Sequence, residues 1–510
     1  MKQAIALEIL YEGESALLTG PAGTGKTFVL NQFIKIARAE GKKVAVTATT
    51  GLAATHLGGT TIHAWSGIGV ADELRPGFAD HMSKTRRELI EKTDVLIIDE
   101  ISMLHDFRLD MVDEVCRLVR RKDEPFGGIQ VVMSGDFFQL PPVNRREGRI
   151  GGFVVNSRVW QELDPAILYL EEQFRQDDEV LLDILTAMRD DNIRRHHAEK
   201  LLERAEVQPE NPEMITELHT VNLDVDAINH ARLSALDAEE RTFQQFTTGS
   251  ANYVESLQRS VLAPAELVLR KGALVMSVKN SPQRLYANGS IGTVTDFEPG
   301  TDYPVVEFRS GRTVTMVPDS WEMRDGDKKR ASISQIPLRL AWAITVHKSQ
   351  GMTLDAAKID LRKAFVPGMG YVALSRVKNI DNLYLYGINR TALAISEDAL
   401  AIDGVLRDKT RSDTQRFIHL EERAAKRTEQ GDSMIKKKKT GSSGWTDKIA
   451  KMRETHPNAY KPWTNEDDVM LKQEFQNGTD VAGLSKLLGR HEGSVTMRLQ
   501  KHFGEDVVSM

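Results

Sequence analysis

The stretch LLTGPAGTGKT, at residues 17–27, carries the strongest chemical signal in the chain. Its spacing matches the phosphate-loop pattern G-x-x-x-x-G-K-[ST], which ends here on Lys26 and Thr27. Glycines in such a loop adopt backbone angles that a Cβ forbids, so successive N–H groups can point at phosphate oxygens. Lys26 would reach the β- and γ-phosphates, and the Thr27 hydroxyl would ligate Mg²⁺. The predicted nucleotide contacts are Gly20, Pro21, Ala22, Gly23, Thr24, Gly25, Lys26 and Thr27; the alternative is a glycine-rich turn without a ligand.

Two adjacent acids, Asp99 and Glu100, follow the apolar run VLII at residues 95–98. Such a run is typical of a strand buried on both faces, and ligands of α/β sheets bind at the carboxyl ends of these strands. Asp99 could then hold Mg²⁺, and Glu100 could orient or deprotonate an attacking water. Adjacent acids after a strand also occur at ordinary surfaces, but the phosphate loop earlier in the chain favours the catalytic interpretation.

A third apolar run lies in GIQVVMSGDFFQLPPV, at residues 128–143, and places Gln139 near the carboxyl end of a strand. An amide at that edge could bond both a γ-phosphate and water, and so could report hydrolysis to the rest of the domain. The alternative is a proline-terminated loop packed by Phe137 and Phe138.

A loop-rich stretch, GLAATHLGGTTIHAWSGIG, follows the β-branched run VAVTATT at residues 44–50. Small polar side chains at strand ends suit contact with a sugar-phosphate backbone, and Thr60 and His63 are the candidates. His63 could equally be a histidine at the edge of the core.

These residues require strands that end together and helices that cover the sheet. The run Ala16-Leu17-Leu18 precedes the phosphate loop, and FVLNQFIKIARAE after Thr27 has helical periodicity. Strands alternating with helices predict an α/β fold with a parallel sheet.

Composition narrows the classes further. The 510 residues suggest about three to five domains. The formal net charge of −6 gives no global signal for nucleic acid, so any such surface must be local. The single cysteine, Cys116, excludes a disulfide framework and a cysteine-based metal site. We find neither a secretory signal nor an apolar run of membrane-spanning length, and we expect a cytoplasmic-type location.

Eight blocks of sequence carry a family resemblance. The chain resembles the Pif-type helicases of superfamily one, relatives of the RecD-type 5′→3′ motors, and EISMLHDFRLDMVDEVCRL is similar to the segment that marks this branch. The resemblance implies two RecA-like parallel-sheet motor domains with ATP and Mg²⁺ in the cleft between them. In order over roughly residues 1–390, the blocks are GPAGTGKT, ATTGLAATHLGGTTIHAWSGIG, IIDEISML, GDFFQLPPV, LEEQFRQDD, LHTVNLDVDAINHARL, LRLAWAITVHKSQGMTLD and GYVALSRVKNIDNLYL.

The resemblance also implies roles at the nucleotide. Glu100 would be the catalytic carboxylate and Gln139 the γ-phosphate sensor. Arg376, in VALSR, would be the arginine finger that stabilises charge on the transferring phosphoryl group. Arg175, in QFRQ, resembles a second phosphate-facing arginine, although a surface arginine is the alternative. The remaining implied nucleotide contacts are Gln350, Gly351 and Gln3, the last as an adenine reader that local sequence alone would place at the surface.

The block LRLAWAITVHKSQGMT is implied to touch single-stranded DNA through Thr345, His347 and Lys348. Donors at a strand end can grip phosphates, which agrees with this role. For His347 the alternative is a cap on a turn.

The domain boundaries follow from changes in pattern. Short β runs split by Asn-Gly, Pro and Ser-Gly resemble the SH3-like barrel inserted in this family's second motor domain, and 240–262 could form an accompanying hairpin. The predicted domains are motor domain 1 at 1–175 with a small insertion at about 64–93, motor domain 2 at 176–262 and 331–405, the SH3-like β insertion at 263–330, a charged helix and linker at 406–444, and a helical module at 445–510.

The C-terminal module predicts three helices, at about 465–476, 480–488 and 492–502. It resembles a Myb/SANT-like helix-turn-helix, with Arg490 and Arg498 on or near the recognition helix as DNA contacts. The alternative is a bundle that docks protein. Residues 421–461 carry eleven Lys/Arg and six Asp/Glu, for which a solvated linker is the better interpretation. The expected core is Trp463, Leu471, Phe475, Leu484, Leu487, Leu488, Val495, Leu499 and Phe503.

Taken together, the resemblance implies an ATP-driven 5′→3′ translocase that separates duplex or structured DNA in genome maintenance and acts as a monomer. Its partners would be single-stranded and duplex DNA, with no membrane. A DNA-binding ATPase switch is the first alternative, and an RNA-directed motor is the second, because backbone contacts do not reveal a preference for the 2′-OH. The location would be the nucleoid in a prokaryote, or the nucleus or mitochondrion in a eukaryote.

Overall fold

The computed structural model describes two compact units, Met1–Glu421 and Glu422–Met510. The residues it describes are 1–69, 71–144, 148–175, 178–209, 211–212, 215–258, 261–281, 283, 285–286, 288–325, 328–425, 455–458 and 463–503. The predicted linker at 433–444 and most of the basic run at 421–461 lie outside the described residues.

The first motor domain is built on a six-stranded parallel sheet with the strand order β3-β2-β4-β5-β1-β6. Its central strands are apolar and buried, which is why both faces need a helical cover. The strands are β1 Ala16–Thr19, β2 Val44–Ala48, β3 Thr60–Thr61, β4 Val95–Asp99, β5 Gln130–Ser134 and β6 Ala166–Tyr169. The helices are α1 Gln3–Tyr11, α2 Lys26–Ala39, α3 Gly51–His56, α4 Ile62–Ser66, α5 Lys84–Glu91, α6 Asp106–Arg120 and α7 Arg158–Leu163. This confirms the predicted α/β class.

The small insertion differs from its prediction. Helix α4 begins at Ile62 and buries Ile62 and Trp65, so it belongs to the core rather than to an excursion that starts at 64. The stretch before β4 forms α5, which is capped by the Ser83 side chain. The buried Ile90 on α5 ties this helix to the main core.

The second motor domain has a four-stranded parallel sheet with the order β18-β7-β19-β20. Its strands are β7 Thr216–His219, β18 Ala343–Thr345, β19 Ala357–Leu361 and β20 Leu383–Ile388. Its helices are α8 Glu179–Arg189, α9 Arg195–Glu206, α10 Asn222–Ser234, α12 Met369–Leu374 and α13 Arg390–Leu393.

Between β7 and β18 the chain forms three antiparallel sheets and helix α11 Ala251–Gln258. The sheets are the pair β10-β8, the five-stranded β14-β13-β12-β11-β17 and the three-stranded β15-β16-β9. Their strands are β8 Glu240–Gln244, β9 Phe246–Gly249, β10 Glu266–Arg270, β11 Leu274–Ser277, β12 Ile291–Phe297, β13 Pro304–Phe308, β14 Thr313–Thr315, β15 Asp319–Asp325, β16 Lys328–Gln335 and β17 Leu338–Leu340. The identification of this accessory β region as an SH3-like barrel stays a prediction.

Two predicted limits of the accessory β region are wrong. The stretch 240–262 is not a hairpin, because β8 pairs with β10 and β9 pairs with β16. The boundary at 330 cuts through β16, and β17 still pairs with β11, so the region extends to Leu340. The motor sheet resumes two residues later, at β18.

Helix α14 Glu397–Arg416 crosses the predicted boundary at 405 without a break. It returns to the first motor domain, where the Asp413 carboxylate accepts from the Ile167 amide of β6 at 2.8 Å. After α14, Phe417 and Leu420 join the buried cluster beneath α1 and α2. This segment is therefore part of the motor rather than a charged linker.

The C-terminal unit contains the three predicted helices, at Asn465–Gln476, Val481–Leu488 and Glu492–Phe503. Thr464 and Asp480 cap the first two, and Gly489 makes the turn before the third with φ +60°. The core is Leu471, Leu484, Leu488, Val495 and Leu499. Leu487 is 55% exposed and does not belong to it, contrary to the prediction. The resemblance to a Myb/SANT module stays a prediction. Across the described ranges of both units, no helix has the length and apolar character needed to cross a membrane.

Candidate active site

The phosphate loop lies between the end of β1 and the first residue of α2, Lys26. Gly20 has φ +135°, and a Cβ there would lie 2.2 Å from the Leu170 carbonyl oxygen, so only glycine fits. The Lys26 ammonium donates to the carbonyl oxygens of Gly20 at 2.7 Å and Pro21 at 3.0 Å. Burial lowers its pKa. The loop thus holds the lysine at the N-terminus of α2, which is the positive end of the helix dipole.

Gln3 lies on α1 against the phosphate loop rather than at an isolated surface. Its Nε2 donates to the Thr24 carbonyl oxygen at 2.9 Å, and a Cβ at Gly25 would lie 2.2 Å from that nitrogen. The Phe174 ring also approaches Gly25 and is 60% exposed. An amide and an aromatic face therefore flank the same end of the loop, which is a setting for a planar base.

The two acids stand at the carboxyl end of β4, as expected. Asp99 is the last residue of the strand, and Glu100 follows in the left-handed region with φ +54°. Burial, and then the neighbouring Asp99, raise the pKa of Glu100 to about 7. Burial also raises the pKa of Asp99. Burial disfavours the ionised form of both acids more than the nearby Lys26 favours it, so the pair suits a divalent cation, for which Asp99 and the Thr27 hydroxyl would supply oxygen ligands.

One side chain of the second motor domain reaches both catalytic candidates of the first. Gln350 Nε2 donates to Glu100 Oε2 at 2.9 Å and to Gln139 Oε1 at 3.2 Å. Gln350 and Gln139 are both buried. The structure thus brings Gln350 to two predicted site residues that lie more than two hundred positions before it in the sequence.

Arg376 follows the short helix α12 and is almost completely buried. Its guanidinium donates to the carbonyl oxygens of Val372, Ser349 and Met352 and to the Ser375 hydroxyl. Burial, and then the nearby Arg175, lower its pKa to about 9. Arg175 Nη1 in turn donates to the Ser375 carbonyl oxygen at 3.4 Å. The two guanidinium groups therefore lie near the same part of the cleft, where their positive charge favours the binding of an anion.

Most of the predicted nucleotide-site residues border one cavity of about 560 Å³ between the motor domains, but Gln3, Asp99 and Gln350 do not line it. Lys26, Thr27, Glu100, Gln139, Arg175, Gly351 and Arg376 line it. Sequence reasoning missed four further lining residues, namely Phe174, Thr353, Asp355 and Lys378. Phe174 could have been found from its position next to Arg175, and Lys378 from its position two residues after Arg376. No feature of the sequence pointed to Thr353 or Asp355.

The predicted DNA contacts fall in two places. Thr60 begins β3, pairs with Thr47 of β2 and borders a second cavity of about 530 Å³, together with Trp65, Lys279 and Trp321. His63 lies on α4 nearby in the chain, half-buried. Among the described residues, Thr345, His347 and Lys348 do not line this cavity.

The second group follows β18 in a short turn at His347–Ser349. Thr345 is buried, and its hydroxyl accepts from the Lys348 amide at 3.3 Å, so Thr345 and not His347 caps the turn. The His347 ring lies 6.5 Å from the Phe365 ring, and burial lowers its pKa. The pKa of Lys348 is lowered by burial and by Arg339.

The C-terminal arginines do not present free guanidinium groups for DNA, which corrects that prediction. Arg490 is buried, its Nη2 donates to Asp467 Oδ2 at 2.7 Å, and its guanidinium lies 4.3 Å from the Trp463 ring centre. Arg498 Nε donates to Asp468 at 2.8 Å. Both arginines stabilise the packing of the helices, because their side chains cross from the turn and third helix to the first helix.

Comparison with known proteins places these features in a family. The model of the PIF1-like helicase family matches residues 1–193. The chain is 40% identical over 481 residues to the ATP-dependent DNA helicase Pif1 of Psychrobacter sp., covering 82% of this chain and 73% of that one. It spans about three fifths of the length of the frog and zebrafish relatives.

Solved structures agree with the sequence match. Pif1 from Bacteroides in complex with ADP-AlF4 has a TM-score of 0.70 at 30% identity, over 80% of this chain and 97% of that one. Bacteroides Pif1 bound to single-stranded DNA has a TM-score of 0.59 at 32% identity, over 81% of this chain and 98% of that one. Matched in sequence along most of its length and in fold by both structures, the chain belongs to the PIF1-like helicase family, whose curated relatives are ATP-dependent DNA helicases.

Proposed function

We propose that this chain is an ATP-dependent 5′→3′ DNA helicase that moves on single-stranded DNA and unwinds duplex or structured DNA in genome maintenance. The bonds from Gln350 to Glu100 and Gln139 carry the proposal, because they join the two motor domains through two side chains that line the nucleotide cavity. A nucleotide that enters between Lys26 and Arg376 must exchange these bonds for its own. Occupancy then changes how the domains contact each other, which is what a motor requires.

The phosphate loop supplies the binding half of the site. Lys26 exchanges its two carbonyl partners for the β- and γ-phosphates, and the loop amides from Gly20 to Thr27 donate to phosphate oxygens. Thr27 and Asp99 would hold Mg²⁺, which would supply positive charge to the phosphates. Gln3 and Phe174 bind the base, the former by its amide and the latter by its exposed ring face.

The chemical half of the site is divided between the domains. Glu100 accepts the proton of the attacking water, for which a pKa of about 7 is well matched. Gln139 and Gln350 orient that water and contact the γ-phosphate. Arg376 and Arg175 stabilise the charge that develops on the transferring phosphoryl group. The approach of Arg376 depends on the second domain and so links hydrolysis to domain position.

Thr60 and His63 contact DNA from the first motor domain, and Thr345, His347 and Lys348 contact it from the second. With DNA contacts on both motor domains, one domain can hold the strand while the other moves along it. The relatives in complex with single-stranded DNA and with forked duplex DNA match this partner class. We propose further that the motor acts as a monomer, in the compartment that holds the cell's DNA.

The test is unwinding of duplexes that carry either a 5′ or a 3′ single-stranded tail, with ATP and Mg²⁺. We expect strand separation only with the 5′ tail. The matched control is Lys26→Ala, which should abolish unwinding while leaving single-strand binding intact. Unwinding of the 3′-tailed duplex alone would contradict the polarity, and unwinding by Lys26→Ala would remove the phosphate loop from the mechanism.

The C-terminal module has a separate role. Residues 463–503 carry five Lys/Arg and six Asp/Glu, and Arg490 and Arg498 are held by Asp467 and Asp468. A surface without excess positive charge is unsuited to the phosphate contacts that dominate DNA affinity. We propose that the module docks a protein partner rather than DNA.

A further inference from the structure

A second polar cluster lies buried behind the phosphate loop. It joins Arg189, at the end of α8, to Asp136 after β5 and to Tyr371 in α12. Arg189 Nη1 donates to both Asp136 oxygens, at 2.7 and 2.9 Å, and to Tyr371 Oη at 3.2 Å. The cluster therefore ties the second motor domain to the first through groups that do not line the nucleotide cavity.

The Tyr371 hydroxyl is the point where this cluster meets the phosphate loop. The Ala22 amide of the loop donates to Tyr371 Oη at 3.1 Å, and Tyr371 Oη donates to Asp136 Oδ2 at 3.3 Å. With the bond from Arg189, the hydroxyl uses its one donor and both acceptor positions. Because all partners are buried, displacing any one of them leaves unsatisfied groups, so the set should move together.

Helix α12 connects this hydroxyl to the arginine finger. Tyr371 lies in the middle of the six-residue helix, and Arg376 follows its end. At the other end, a Cβ on Gly368 would lie 2.8 Å from the Phe138 carbonyl oxygen and 2.9 Å from that of Gln139. The start of α12 thus packs directly on the loop that carries Gln139.

The opposite side of the cluster provides an internal control. Arg189 Nη2 donates to Tyr169 Oη at 2.9 Å, and Tyr169 Oη donates to Asp403 Oδ1 at 2.7 Å. Tyr169 is a second buried tyrosine whose hydroxyl donates one hydrogen bond and accepts one, and neither bond involves the phosphate loop or α12.

We propose that Tyr371 is a positioning residue that couples the phosphate loop to Arg376. When the loop closes on phosphate, the Ala22 amide moves, and Tyr371 carries that displacement along α12 to the finger. The inference rests on the proposed function. It adds the path by which phosphate binding in the first motor domain positions the Arg376 guanidinium of the second. Since the finger acts on the transferring phosphoryl group, Tyr371 should matter more for the transition state than for ground-state nucleotide binding.

The experiment compares Tyr371→Phe with Tyr169→Phe in the full-length protein. Each variant loses one buried hydroxyl that accepts a hydrogen bond from Arg189, so the two changes are similar in chemistry and setting. ATP turnover is measured with saturating oligothymidylate, and dissociation constants are measured for ADP and for ADP with aluminium fluoride. For Tyr371→Phe we expect kcat to fall about tenfold and the preference for the fluoride complex over ADP to fall by a similar factor, within the usual range of coupling between sites. For Tyr169→Phe both should stay within about threefold.

The affinity ratio does not depend on the fraction of folded protein, so partial unfolding cannot imitate the result. Equal behaviour of the two variants, or a loss of ADP affinity as large as the loss in kcat, would overturn the coupling role. Absence of DNA-stimulated turnover in the unmodified protein would instead overturn the proposed function, and the inference with it.

Discussion

Arginines occupy opposite situations in the nucleotide cleft and in the C-terminal module. Arg376 and Arg175 bond to backbone carbonyl oxygens and, for Arg376, one hydroxyl, while Arg490 and Arg498 are held by the carboxylates of two adjacent aspartates. A carbonyl neutralises none of the guanidinium charge, whereas a carboxylate neutralises all of it. The positive charge of the cleft arginines is therefore available to an anionic ligand, whereas that of the module arginines is already compensated by aspartates.

The comparison shows what a motif can and cannot reveal about an arginine. VALSR and LLGR look equally basic in the sequence, but only the fold shows that Asp467 and Asp468 lie opposite the module's arginines. Whether an arginine can bind a ligand therefore depends on the charged groups that surround it.

The largest effect should come from Arg376→Ala. Losing an arginine finger lowers the turnover rate about a thousandfold or more, because its charge acts on the transition state. Arg498→Ala is the matched control and should leave the DNA-stimulated ATPase rate of the full chain unchanged. A mild effect of Arg376→Ala in the same assay would place the positive charge of the cleft outside the mechanism.

Glu100→Gln should lower kcat by about two to four orders of magnitude, since the amide cannot accept a proton. In the unmodified enzyme the pKa of about 7 predicts that kcat/KM rises with pH up to that value and then levels, because only the ionised carboxylate is a base. The pH profile of kcat/KM measures this directly. An acid limb that persists in Glu100→Gln would assign it to another group.

Arg490→Ala should destabilise the C-terminal module by about 3 kcal/mol, because it leaves Asp467 without its buried partner. The partly buried pair of Arg498 and Asp468 should contribute less, about 1 kcal/mol, because the Arg498 side chain is more accessible to solvent than that of Arg490. Hydrogen exchange of the three module helices in the full chain measures both, while the ATPase rate reports that the motor is intact. Equal protection in the two variants would show that burial does not separate these pairs.

The smallest effect is expected from deleting residues 445–510. If the module docks protein, affinity for single-stranded DNA and the DNA-saturated ATPase rate should each change by less than about twofold. Filter binding at two salt concentrations and steady-state turnover provide the measurements. A marked loss of DNA affinity with normal turnover would restore the DNA-binding interpretation of the module.

Sequence predicted the parts of the motor that depend on local pattern. The phosphate loop, the acids after β4 and the limits of the three C-terminal helices all follow from periodicity, glycine and capping residues. The resemblance supplied Arg376 and Gln350, and the structure places both at the cleft.

What sequence could not predict depends on contacts distant in the chain. The pairing of β17 with β11, the return of α14 to β6 and the burial of Arg490 have no local signature. The tyrosine at 371 likewise looks like an ordinary apolar position of its helix until Ala22, Asp136 and Arg189 are seen around its hydroxyl.

The connection from β17 to β18 determines how closely the accessory β region is coupled to the second motor domain. Leu340 ends a strand of the accessory β region and Ala343 begins one of the motor sheet, with only the buried Ala341 and Trp342 between them. A two-residue tether with both side chains wedged into the core is too short and too tightly packed to act as a swivel. We therefore expect the accessory β region to follow the second motor domain as one rigid unit rather than to turn independently of it.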